Sequence, residues 1–254
     1  MKDRLHIRLR KPRSPLRRAA SWYEVRHHLM LLLMSFASLT ACAQTVPHPL
    51  AQRMQACTPC HGQEGRASNS GYWPRIAGKP AGYLFNQLQN FRDGRRINPG
   101  MTHLVQHMSD GYLREIADYF AGLDLPYPPA QTSVLPPAQR QLGERLVREG
   151  DAARGLPACA ACHGERLTGV LPAVAGLAGL PRDYLLGQLG AWRNGLRRAQ
   201  DPDCMATIAR RLQPADIEAL AAWISAQPTS GDMRPAPSAR LPRPWPIACG
   251  SGAP

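Results

Sequence analysis

The chain is 254 residues long, 44% apolar but only 6% aromatic, with 25 Pro and 22 Gly. That length holds one large domain or two small ones, and so few aromatic side chains among so many turn formers favours compact helical units whose cores something other than protein helps to fill. The formal charge of +13 does not argue for nucleic-acid binding: nine of the 31 Lys/Arg lie between Lys2 and Arg26, and residues 43–254 hold 22 Lys/Arg against 16 Asp/Glu, a charge of +6.

After the basic stretch comes an apolar run from Leu29 to Leu39, then small residues at Thr40, Ala41 and Ala43. This is the pattern of a signal peptide over 1–42, with a run too short to span a bilayer comfortably. A membrane-anchoring helix and a later translation start at Met30 are competing readings. Two cleavage patterns fit: Ala41-Cys42-Ala43 would release a soluble chain starting at Gln44, whereas Leu39-Thr40-Ala41-Cys42 is a lipoprotein pattern that makes Cys42 a lipidated first residue and ties the protein to the membrane. Both deliver it to the periplasmic side.

From there the chain reads as one unit used twice, 43–121 and 138–227, with a Pro-rich linker over 122–137 and a Pro-rich tail over 228–254. Cys57-Thr58-Pro59-Cys60-His61-Gly62 answers Cys159-Ala160-Ala161-Cys162-His163-Gly164. Pro74 with Ala77-Gly78 answers Pro172 with Ala175-Gly176. Tyr83-Leu84-x-x-Gln87-Leu88-x-x-Phe91-Arg92-x-Gly94 answers Tyr184-Leu185-x-x-Gln188-Leu189-x-x-Trp192-Arg193-x-Gly195, and Met101 answers Met205.

In each unit a first helix leads to the cysteine pair (about Pro49 to Cys57, and Ala138 to Glu149). A second carries Tyr83, Leu84, Leu88 and Phe91 on one face and ends at Gly94, with Gly195 its counterpart. A third closes the unit, Ser109–Ala121 with Ser109 as N-cap and Pro214–Ala226 with Pro in the first turn. The linker, with five prolines between Gly122 and Pro137, reads as stiff but unfolded, and the tail as irregular or mobile. Nothing in either suggests a strand, so the expected class is all-α.

Cys-x-x-Cys-His is the attachment signature of haem c. Two thiols at that spacing reach the two vinyl groups of one haem, and the next residue, His61 or His163, comes under the iron. A zinc knuckle and a redox disulfide share the Cys-x-x-Cys spacing. Zinc sites, however, usually bring their pairs close in sequence, and a thioredoxin-like site needs an α/β pattern that is absent. Two motifs imply two haems. For the opposite face of each iron the candidates are Met101, 40 residues after His61, and Met205, 42 after His163. A thioether is a soft neutral ligand that favours ferrous iron. His103 and His107 compete in the first unit and Cys204 in the second.

The ordered set Cys-x-x-Cys-His-Gly, Pro, Ala-Gly, Tyr-Leu-x-x-Gln-Leu, Arg-x-Gly, Met and closing helix, present twice over about 47–227, resembles the dihaem class I cytochromes c of the cytochrome c4 type. The resemblance implies two tandem class I cytochrome c domains, each a small helical fold wrapped around a covalently bound haem. Cys57, Cys60, His61 and Met101 would hold one haem and Cys159, Cys162, His163 and Met205 the other. Pro74 and Pro172 match the proline whose carbonyl accepts the imidazole N–H. The long leader, the tail, Cys204 and Cys249 depart from the pattern.

The implied function is single-electron transfer in the respiratory chain. The expected redox partners are a membrane dehydrogenase or quinol-oxidising complex as donor and a terminal oxidase as acceptor, with no enzymatic activity of its own. A catalytic dihaem cytochrome, peroxidase-like or thiosulfate-oxidising, and a fixed subunit of a membrane complex are the alternatives. Cys204 and Cys249 remain once the haem motifs and Cys42 are set aside. In an oxidising compartment a disulfide between them would pin the tail, with Trp245, against the Met205 side of the second haem and add about 3–4 kcal/mol by loop closure. A buried or ligating Cys204 beside a loose tail is the competing arrangement.

Overall fold

In a computed structural model the described residues are 49–67, 71–132, 135–240 and 244–252; the leader and Cys42 lie outside them. Among the described residues there are helices and isolated bridges but no strands. No helix among them is long and apolar enough to cross a membrane.

The first half contains α1 (Pro49–Arg53), which runs into a 3-10 turn over Met54–Cys57, then α2 (Thr58–His61), α3 (Ala81–Arg92), α4 (Pro99–Val105) and α5 (Asp110–Ala121). The second contains α6 (Pro137–Arg148), α7 (Cys159–His163), α8 (Arg182–Arg193), α9 (Cys204–Arg211) and α10 (Pro214–Ser225). The start signals operate as expected. Ser109 Oγ accepts from the Tyr112 N–H at 3.3 Å, and at α10 Gln213 and Asp216 form a reciprocal capping box. Gly94 and Gly195 follow α3 and α8 at φ +71° and +70°, the left-handed turn that ends a helix cheaply only without a Cβ.

Each half has its own core. In domain 1, α3 packs on α4 and α5 around Leu84, Phe91, Leu113 and Phe120. In domain 2, α10 packs on α6 and α8 around Leu146, Leu185, Leu220 and Trp223. α6 and α10 approach so closely that a Cβ on Gly143 would lie 2.5 Å from the Ala219 carbonyl oxygen, so the crossing depends on that glycine.

His48–Pro254 form one compact unit, and the domains meet along a buried polar seam. Ile97 N–H donates to Leu196 O at 2.9 Å, and Gly82 N–H to Pro172 O at 3.1 Å. The described linker residues before Pro137 form no helix, yet they are docked: Arg75 donates to the carbonyls of Leu125 and Pro126 at 2.6 and 3.0 Å and lies over the Tyr127 ring. The tail is irregular but packed, with Met233 in the domain 2 core and Ala236 paired with Val170.

Candidate cofactor site

Cys159, Cys162 and His163 sit on α7, and Cys60 and His61 on α2 with Cys57 at the N-cap just before it, so that in each half two thiols and an imidazole project from one short segment. The His163 Nδ1 lies 2.7 Å from the Ala175 carbonyl oxygen and the His61 Nδ1 2.9 Å from that of Pro74. A carbonyl only accepts, so Nδ1 carries the proton in both rings and Nε2 is left with a free lone pair, the state an iron ligand requires. Burial also pushes both imidazoles below their ordinary pKa, which keeps them neutral. Burial raises the thiols of Cys57 and Cys162, and that of Cys159 to about 12.

One expectation is corrected here. Pro172 is not the acceptor for His163: its carbonyl takes the Gly82 N–H instead, and Ala175 occupies the place of Pro74. Residues 173–179 contain Ala-Gly twice, and Ala77-Gly78 corresponds to the second copy, Ala178-Gly179. Gly78 and Gly179 share φ +70° and +72°, and Lys79 N–H to Ile76 O recurs as Leu180 N–H to Leu177 O. The constant 101-residue offset from Tyr83 to Tyr184 carries this register, which the attraction of matching two prolines obscured.

In domain 2 a cavity is lined mainly by apolar side chains and by Cys159, Cys162, His163 and Met205. All four predicted residues therefore face one space. Met205 is held by the start of α9, where Asp203 caps the helix by accepting from Ala206 N–H at 2.9 Å. In domain 1 Asn98 caps α4 by accepting from Met101 N–H at 3.0 Å, and Met101 packs with Cys57 against the core. His61 is buried, whereas His103 and His107 are exposed. Cys204 is bonded to Cys249 and so is not a free thiolate.

Motif reading missed the seam. Arg96 and Arg197, related by the duplication, are both buried. Arg96 donates to Gln87, Gln188 and Tyr184 at 3.1, 2.7 and 2.8 Å, and Arg197 to Gln188 and Gln87, each at 2.8 Å. None of these partners is a carboxylate, although the two guanidinium groups pull the Tyr184 phenol below its ordinary pKa against its burial. Burial pulls Arg197 below its ordinary pKa, and Arg96 beside it adds to the effect. Two buried cations so close together call for anions. Arg197 and Trp192 both line the cavity, and the buried Trp192 indole N–H has no partner. An apolar plate with two carboxylates at one edge fits this lining: the aliphatic walls would take its face, and the guanidinium and the orphaned indole N–H would be partners for its acid groups. Haem has that shape, and its propionates supply those charges.

The Cytochrome c family model matches residues 143–227. The chain is 35% identical over 69% of its length, and 80% of the relative's, to a thiosulfate dehydrogenase electron acceptor of Thiomonas intermedia. It is 34% identical over 77% of its length, and 96% of the relative's, to a cytochrome c4 of Pseudomonas aeruginosa. Among solved structures, reduced cytochrome c4 from Pseudomonas stutzeri superposes with a TM-score of 0.60 at 31% identity, covering 70% of this chain and 96% of that one.

Proposed function

Because the chain belongs to the dihaem class I cytochromes c of the cytochrome c4 type, we propose that it is an exported single-electron carrier that accepts electrons from a thiosulfate-oxidising dehydrogenase and delivers them to an oxidising respiratory partner. Its cofactors are haem c groups with iron, at the two Cys-x-x-Cys-His sites. Bound haem supplies reversible one-electron chemistry at iron.

The protein's own residues do the rest. Cys57, Cys60, Cys159 and Cys162 hold the two groups through thioethers. His61 and His163 ligate through Nε2, each aimed by a backbone carbonyl at Nδ1 that also makes the ring more basic. Met101 and Met205 would supply thioether sulfurs to the two groups, and such ligands favour the reduced state and raise the potential. The apolar walls keep water away, and Arg96 and Arg197 hold positive charge between the two sites. Positive charge there opposes oxidation and further raises the potential.

The observation that carries this reading is that His163 and Met205 line the same apolar cavity as Cys159 and Cys162. With both axial positions taken by protein, none is left for a substrate. Cys204, the rival to Met205 in the second unit, is engaged by Cys249. The donor follows from the relative's name and from no feature of the fold.

Mixing the oxidised holoprotein with thiosulfate tests the proposal. Reduction should be negligible alone and rapid once a catalytic amount of a thiosulfate dehydrogenase is added. Turnover of thiosulfate or peroxide by the protein alone would establish the enzyme reading instead. Reduction by a quinol-oxidising complex but not by the dehydrogenase would keep the carrier and replace the donor.

A further inference from the structure

The tail is built onto the linker and domain 2 at several points before it reaches the cofactor site. Thr229 Oγ1 donates to Pro128 O at 2.7 Å, Arg166 donates to the carbonyls of Ser230 and Asp232, and Ala236 N–H donates to Gly169 O at 2.8 Å. Residues 244–252 then lie against the cavity. Trp245 packs on Val170 and Val174, in the loop that carries Ala175. Cys249 is bonded to Cys204, the neighbour of Met205, and the Gly250 N–H donates to Pro202 O at 2.9 Å. Farther on, Ser251 O accepts from the Asn86 amide of domain 1 at 3.2 Å.

One segment thus joins the loop beneath His163 to the helix that bears Met205, and Trp245, Ile247 and Cys249 form part of the wall around both. The seating is close: a Cβ on Gly250 would fall 2.2 Å from Asp201 O. Around Met101 the surface is different. Ile97 and Leu104, which flank it, are 60% and 45% exposed.

We propose that residues 244–252 are a disulfide-fastened cover over the Met205 side of the second site, which leaves the Met101 side of the first as the face open to external molecules. The inference rests on the His/Met ligation of the proposed function. The cover is anchored at both ends, by Trp245 on the loop and by Cys249 on α9, so ligand entry at the second site waits on local opening of the segment, whereas entry at the first waits only on release of Met101.

Cyanide tests this on the oxidised holoprotein. It displaces the thioether, so that the Fe–S(Met) bond breaks and an Fe–C bond forms while the iron stays ferric. The loss of the weak long-wavelength thioether–iron absorption should occur in two phases of equal amplitude that differ by about tenfold or more. Cys249→Ser, and separately a chain ending at Arg240, should bring the slow phase close to the fast one and leave the fast one unmoved. Indistinguishable phases in the parent protein, a slow phase that ignores both variants, or equal acceleration of both phases would each overturn the cover. Absence of thioether–iron absorption before cyanide is added would overturn the ligation reading, and the cover with it.

Discussion

In domain 1 the His61 imidazole leans on the Pro74 carbonyl, Phe91 lies under Arg96, and the helix bearing Met101 has exposed apolar side chains beside it. In domain 2 the same places hold the Ala175 carbonyl, Trp192 under Arg197, and a Met205 helix tied to the tail. Lys79 and Leu180 likewise correspond: the lysine crosses the seam to donate to Gly176 O at 3.1 Å, whereas the leucine is core. What a backbone atom supplies survives the duplication whatever the side chain, which is why proline can become alanine under the histidine. What a side chain supplies has diverged, and it sets how polar and how closed each site is.

The largest effect should come from removing the attachment chemistry in one half. Cys159→Ala with Cys162→Ala should lower the intact mass by one haem and unfold domain 2, whose core surrounds the cavity, while domain 1 keeps its haem. Mass spectrometry and helical circular dichroism together check this, and an unchanged mass would rule the site out.

Next is Lys79, which burial, with Arg75 adding to it, pushes down to about 7 from 10.5. Between those values the unfolded chain binds a proton that the folded protein does not, so stability should rise with pH through this window and be least below it, with a slope of up to about 1.4 kcal/mol per pH unit from this group. Lys79→Met should flatten the slope and raise stability most at the acid end. Denaturant titrations of both proteins at several pH values decide it, and equal slopes would show that the lysine is charged and solvated.

Arg197→Met removes buried positive charge beside the cavity and so favours the oxidised, more positive state. At least one potential should fall, by on the order of 60 mV, the equivalent of one tenfold change in a one-electron equilibrium. A spectroelectrochemical titration that gave unchanged potentials would mean that the seam does not touch the cofactors. Trp192→Phe copies the domain 1 residue into domain 2 and removes one neutral N–H donor. Its effect should have the same sign and be smaller.

The sequence carried the helices, their caps and both cysteine motifs, because these are local: Ser109, Gly94, Gly195 and the Cys-x-x-Cys-His spacing each act within a few residues. Through its distance from His163 and its repeat it also pointed to Met205, which lines the same cavity as His163. It did not carry the arginine seam, in which Arg96 and Tyr184 meet across 88 residues with only a shared RR-type surface appearance to mark them. The acceptor for His163 was misread for a different reason: a carbonyl has no sequence signature, and the repeated Ala-Gly offered two registers. The bond between Cys204 and Cys249 was one of two arrangements that the sequence left open, since pairing over that separation is settled only by the packed tail.

The central claim is that each half holds a haem whose axial positions are both filled by protein. The most direct measurement is an EPR spectrum of the fully oxidised protein, integrated against total iron. Two low-spin ferric signals of His/Met type, one spin per iron, are the predicted result. A high-spin signal accounting for one iron, or a low-spin signal of thiolate type, would contradict it, because one site would then be open or differently ligated and the molecule would be equipped for catalysis.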